Sequence, residues 1–193
     1  MTGPTFDDLV ANRTLTPEIA QALIAAARAK RSFLVFAQPR LAGKTTLQEL
    51  LLARAPAGTP TPTIGVDGDD VAALAREAQG GYLVIPEIAR EAARPGYIWG
   101  EPVRIAFAAR GCSLAVVLHA DSADEAIAII RENGVPEADL ERLELLIHLR
   151  SLGRWEEPTR RVVAHIHEGV ATRRLLHRWD EATDRFEVGS PPR

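Results

Sequence analysis

The chain holds one cysteine, Cys112, in 193 residues, so no internal disulfide can staple it. That scarcity fits a reducing compartment. Lysine is nearly as rare: Lys30 and Lys44 are the two lysines among 23 basic residues, and arginine supplies the rest. No apolar run approaches the roughly 20 residues of a membrane span. The run Leu114 to Leu118 is among the longest and has strand length. Met1-Thr2-Gly3-Pro4 lacks the basic stretch and apolar core of a secretory leader, so the expected location is the cytoplasm, without membrane insertion. A net charge of −3 and a pI near 6.0 give no global electrostatic footprint for nucleic acid. Arginines do crowd the segment from Arg142 to Arg178, but Glu141, Glu144, Glu156 and Glu157 interleave with them, as on a solvated face.

What remains is ordinary globular material, 46% hydrophobic and 25% charged. One domain over residues 1–188 with a loose tail over 189–193 is expected. Thr5 to Asn12 and Thr16 to Lys30 read as helices, the second with Thr16 as N-cap and Pro17 in the first turn. Ser32 to Ala37, Tyr82 to Ile85 and Leu114 to His119 are unbroken apolar runs suited to strands buried on both faces. Helices are expected between them at about 44–54, 69–78 and 101–109, with a short strand at 63–66. Ser122-Ala123-Asp124-Glu125 is a capping box opening a helix over 123–133, and a short helix is expected over 137–145. Four further strands follow, at 146–150, 161–167, 173–179 and 186–188. Alternating strands and helices followed by strands in succession imply an α/β fold. Its sheet is mainly parallel and flanked by helices, with antiparallel strands near the C-terminus.

The lysine bias matters at one place. Gln38-Pro39-Arg40-Leu41-Ala42-Gly43-Lys44-Thr45 lies between a strand and a helix and matches the phosphate-loop pattern G-x-x-x-x-G-K-[ST] except at its first glycine. Backbone N–H groups at a helix start wrap phosphate oxygens. In that pattern Gly43, Lys44, Thr45 and Thr46 bind the phosphates of ATP or ADP, and the Thr45 hydroxyl ligates Mg²⁺. A positive φ at Gln38 would cost about 1–2 kcal/mol for a residue with a side chain. The fold class expected is therefore a P-loop NTPase of the RecA-like kind. Glu87 ends the run Tyr82-Leu83-Val84-Ile85-Pro86; it either positions water and the Mg²⁺ shell or merely terminates a strand. His119 ends Leu114 to Leu118 and either senses the γ-phosphate or is structural. His165 and His167 share a strand face without a third metal ligand at suitable spacing.

Taken together these pieces resemble the secretion traffic ATPases of type II and type IV secretion and of type IV and tight-adherence pili, from about Leu9 to Phe186. Leu34-Val35-Phe36-Ala37 through Gly43-Lys44-Thr45-Thr46-Leu47 is similar to their Walker A, and Val84-Ile85-Pro86-Glu87-Ile88 to their Walker B. Ala109-Arg110-Gly111 through Leu118-His119-Ala120-Asp121-Ser122-Ala123-Asp124-Glu125-Ala126 is similar to their His box. The resemblance implies ATP hydrolysis with Glu87 and His119 as catalytic residues and Thr45 and Glu87 at Mg²⁺. It also implies partners in secretion or pilus machinery. Gln38 and Pro86 replace glycines, Ala89-Arg90 replaces Arg-Asp, and the segment 56–78 is shorter than the family's. The family's N-terminal domain is missing from the match. The expectation is nucleotide binding with very slow hydrolysis and no stable hexamer. A non-catalytic, nucleotide-responsive or structural descendant is the alternative, with a small-molecule kinase behind it. Arg40, Arg104 and Arg110 are candidate transition-state arginines.

Overall fold

Four apolar runs become the parallel heart of a sheet: β1 (Phe33–Phe36), β2 (Tyr82–Ile88), β3 (Ser113–Leu118) and β4 (Leu145–Gly153). Three more strands, β5 (Pro158–Glu168), β6 (Arg174–Asp180) and β7 (Arg185–Val188), extend it antiparallel. The computed structural model describes residues 3–38, 41–65, 70–90, 96–154 and 156–189. Strand order is β2-β3-β1-β4-β5-β6-β7, so the fold is mixed α/β around a seven-stranded sheet.

Both faces of the parallel part are covered. Leu34, Phe36, Leu83, Ile85, Val116 and Leu118 point into one core, packed by α4 (Val71–Glu77), α5 (Glu101–Ala108), α6 (Ala123–Glu132) and α7 (Glu137–Leu140). Phe33, Val35, Tyr82, Val84, Val117 and Ile147 point into the other, packed by α1 (Phe6–Ala11), α2 (Pro17–Arg28) and α3 (Lys44–Leu52). Each such side chain contributes about 1.5–3 kcal/mol through burial, which is why these strands carry no polar alternation. Local chemistry starts the helices on cue. Thr16 Oγ1 accepts from the Ile19 amide at 3.3 Å, and Thr5 and Asp8 form a complete capping box.

Several boundaries differ from the sequence expectation. β2 runs on through Pro86 to Ile88, because it is the edge strand of the sheet and a register shift between Ile85 and Ile88 accommodates the proline. At 63–65 a single bridge from Thr63 to Val84 replaces a strand, and Val66 lies outside the described residues. The helix expected over 137–145 stops at Leu140, since Leu145 is claimed by pairing with Phe33. At Ser122 half of the capping box forms. The hydroxyl caps the Glu125 amide, but the Glu125 carboxylate accepts from Asp121 N instead. Residues 190–193 of the expected tail lie outside the described set.

From β1 across β4 to β5 the sheet carries a column of rings. Phe36 and His148 stack at 4.9 Å, His148 and His165 at 5.8 Å, and His165 and His167 at 5.9 Å. Burial pushes the His148 imidazole down from 6.5 to about 4, helped by His165, Arg150 and His167 nearby. Burial also lowers His165 and His167, with Arg178 and Arg150 adding to it at the first, and His165 and Arg173 at the second. A histidine held below its unfolded value stabilises fully above that value, and the gain is lost as pH falls from 6.5 towards about 4. For His148 this amounts to about 3 kcal/mol. Urea denaturation at stepped pH is expected to show falling stability across that window. His148→Phe, which keeps the stacked ring, is expected to flatten the fall; an unchanged slope would exclude His148 as its source.

Candidate functional site

The strand order brings three chain segments to one edge. β3 lies between β2 and β1, so the residues following β3 sit between the C-terminal end of β2 and the loop that leaves β1. The structure places Glu87 near the end of β2, His119 immediately after β3, and the start of the loop, Ala37, directly after β1. Glu87 is thus one strand further from the loop than a direct neighbour of β1; His119 holds that nearer place.

Gly43 starts α3 with φ 92° and caps it with no side chain, leaving the face of the helix N-terminus to whatever lies before it. Leu47 and Leu51 anchor α3 in the core, and buried Gln48 donates to the Ala115 carbonyl of β3 at 2.9 Å. That hydrogen bond sets the helix against the strand that carries His119. Lys44, 6% exposed, turns inward: its Nζ lies 3.4 Å from the Ala37 carbonyl and 3.1 and 3.3 Å from the two His119 ring nitrogens. His119 Nδ1 is also 2.9 Å from the Gln38 carbonyl, and Nε2 is 3.7 Å from a Glu87 carboxylate oxygen. With Nδ1 donating to Gln38, Nε2 is left to accept from the ammonium. Side-chain exposures of 24% for His119 and 17% for Glu87 put both in a sheltered cleft of about 650 Å³.

Thr45, exposed, and Thr46, half-buried, line the same cleft with Gly43 and Lys44. The sequence-predicted site residues Gly43, Lys44, Thr45, Thr46, Glu87 and His119 all border it. Gln38 does not adopt positive φ; besides Gly43, the loop's left-handed residue among those described is Leu41, at φ 63° with its side chain exposed. The strain expected at the first loop position lies there instead.

Two of the three candidate arginines fall elsewhere. Arg110 is held by Asp139 and by the carbonyls of residues 107–109, Arg104 pairs with Glu101, and Arg40 lies outside the described residues. His148, His165 and His167 stack face to face, which sends their in-plane lone pairs side by side rather than to one point. Among the described residues no group of three His, Cys, Asp or Glu side chains could hold a metal.

Residues that sequence reasoning missed complete the cleft. Tyr97 sits 6.4 Å from the His119 ring, held by Ile98, whose amide donates to the Glu87 carbonyl and whose carbonyl accepts from Ala89 N. Asn12 and Thr14 follow α1, and Thr159, Arg160 and Arg161 come from β5. Nothing local marks them, because β5 reaches the loop through tertiary folding alone.

This mixed α/β architecture is that of solved secretion ATPases. No family model matches the sequence, and no curated protein matches it. Among solved structures, the VirB11 ATPase from the Brucella suis type IV secretion system, in complex with sulphate, superposes with a TM-score of 0.56 at 18% identity. The Legionella pneumophila ATPase DotB superposes at 0.55 and 16%. The alignments cover 89% and 95% of this chain, but 58% and 53% of those proteins. The likeness is one of fold, and the chain spans little more than half of either. No described helix is long and apolar enough to cross a membrane.

Long-range ¹⁵N–¹H spectra at neutral pH are expected to show His119 as the Nδ1-protonated tautomer. An Nε2-protonated ring would disconnect it from the Gln38 carbonyl.

Proposed function

We propose that this chain is a P-loop, RecA-like domain of the secretion traffic ATPase type that binds ATP or ADP with Mg²⁺ and hydrolyses ATP slowly. One observation carries the reading: Lys44, His119 and Glu87, from three separate segments, meet at the mouth of an uncapped helix whose pattern is that of a phosphate loop. A helix N-terminus, a buried ammonium and an adjacent hydroxyl pair are together suited to a polyphosphate and to little else of that size.

In this reading the amides opening α3 receive the phosphate oxygens, and Lys44 leaves the Ala37 carbonyl for the β- and γ-phosphates. The donor set fits magnesium: the Thr45 hydroxyl and the Glu87 carboxylate are hard oxygen ligands bordering one cleft. When bound, the metal neutralises charge on the phosphates and draws electron density from the γ-phosphorus. Glu87 orients a water for in-line attack and takes its proton as the bond to the γ-phosphorus forms and the bond to the bridging oxygen breaks. His119, bonded to the loop carbonyl and to Lys44, reports γ-phosphate occupancy to the strand behind it. Partners in secretion or pilus machinery and a cytoplasmic location belong to the same proposal. A non-catalytic, nucleotide-responsive module is the second reading, favoured by Pro86 beside the acid and by the left-handed Leu41.

Two variants separate these. Calorimetric titration is expected to show Mg²⁺–nucleotide binding that Lys44→Ala weakens about tenfold or more, the value of a charge-assisted hydrogen bond. Wild-type protein inert to millimolar nucleotide would sink the reading. Glu87→Gln is expected to bind normally but release no phosphate, since an amide cannot accept the proton. Hydrolysis at the wild-type rate in Glu87→Gln would reduce Glu87 to a strand terminus. Absence of turnover in the wild type, with binding intact, would leave the non-catalytic module.

A further inference from the structure

Two adjacent arginines of β5, Arg160 and Arg161, border the cleft, and they are differently employed. Arg160 is fully engaged in the scaffold. Its Nη1 donates to Asp184 at 2.8 Å, its Nε and Nη2 donate to the Arg13 carbonyl, and its guanidinium lies 5.8 Å above the Trp179 ring. Arg161 is exposed and reaches the phosphate loop itself. Its Nε donates to the Leu41 carbonyl at 2.6 Å, and its Cδ packs so closely over Gly43 that an added β-carbon would sit 3.3 Å from it. Among the described residues that is its guanidinium's one hydrogen bond, made by one of five N–H donors.

We propose that Arg161 is this site's own arginine: Nε latches the loop in its working shape, and the terminal Nη1 and Nη2 fork contacts the bound polyphosphate. The inference rests on the nucleotide reading above and adds a binding residue that no local motif announces.

Three considerations carry it. Leu41 holds a left-handed backbone, which costs a residue with a side chain about 1–2 kcal/mol. Such a conformation persists where the surroundings impose it, and the Arg161 bond to the same residue's carbonyl is the imposed contact. The described parts of the loop are therefore held from two sides, by His119 on the Gln38 carbonyl and by Arg161 on the Leu41 carbonyl. Second, a planar guanidinium anchored through Nε presents its two terminal nitrogens as a fixed fork, the geometry that matches two phosphate oxygens. Third, Lys44 is the one lysine among the residues lining the cleft and is buried, so a polyphosphate carrying several negative charges needs a further cation. Among the described residues, Arg161 is the cleft-lining arginine not already engaged by a carboxylate.

Side-chain lengths allow the two roles to be tested apart. Arg161→Gln puts an amide nitrogen where the arginine has Nε, so it keeps the latch and deletes the fork. Arg161→Lys keeps a charge but has a carbon at that position, and Arg161→Ala removes both. The full chain is measured in two ways: amide hydrogen exchange of residues 41–44 without nucleotide, and calorimetric titration with Mg²⁺–ADP, with adenosine as the phosphate-free control. Thermal melting confirms that each variant is folded. Arg161→Ala and Arg161→Lys are expected to exchange about tenfold faster in the loop, whereas Arg161→Gln exchanges like the wild type. Arg161→Ala and Arg161→Gln are expected to bind ADP about ten- to hundredfold more weakly, the range for a charged hydrogen bond, with adenosine binding unmoved. Wild-type ADP affinity in both Arg161→Ala and Arg161→Gln overturns the fork, and unchanged loop exchange in Arg161→Ala overturns the latch. If the wild type binds no ADP, the nucleotide reading and the fork fall together, while loop exchange still judges the latch.

Discussion

A buried ammonium must be surrounded by lone pairs. Lys44 is that group here, and the arrangement of the cleft follows from satisfying it. Uncompensated, a charge at 6% exposure would cost several kcal/mol. The Ala37 carbonyl at the end of β1 and the imidazole at the end of β3 supply partners. Both strand ends must therefore lie level with the start of α3. The Gln48 amide on the Ala115 carbonyl and the parallel register of Phe33 with Ala115 set that level. Parallel pairing does the rest, since it delivers successive strand ends to the same edge of the sheet.

The two halves of the sheet have different duties. The parallel half, sealed on both faces, is a rigid base from which loops project. The antiparallel half is only partly covered, carries most of the imidazole column, and folds back so that β5 runs past the loop between β1 and α3. The same strand meets the N-terminal segment, where Val163 N donates to the Thr14 carbonyl at 2.8 Å. The cleft is thus walled by the first helix, the central strands and the late strands, although these lie far apart in sequence.

Much of this was legible in the residues. Phe33 to Phe36 and Leu114 to Leu118 announced doubly buried strands because they offer no polar face. Thr16-Pro17 announced a helix start because a hydroxyl and a fixed φ serve it locally. Gly43-Lys44-Thr45 marked the start of α3. The boundaries that misled did so where a neighbour outvoted local preference. Leu145 pairs with Phe33 instead of ending a helix, and Pro86 stays in a strand because it falls where the edge strand's register shifts, between Ile85 and Ile88.

The sequence by itself determined most of the strands and helices, where the loop lies, and that Glu87 and His119 close apolar runs. Those properties depend on periodicity, caps and turn chemistry acting over a few residues. Strand order, by contrast, is a long-range choice, and only the tertiary structure decided that His119 rather than Glu87 stands next to the loop. It also decided that Leu41 rather than Gln38 takes the left-handed conformation, and that Arg161 rather than Arg104 or Arg110 reaches the cleft. An arginine's role depends on which charges and carbonyls lie within about 3 Å of its nitrogens, and for residues far apart along the chain only the folded structure determines that.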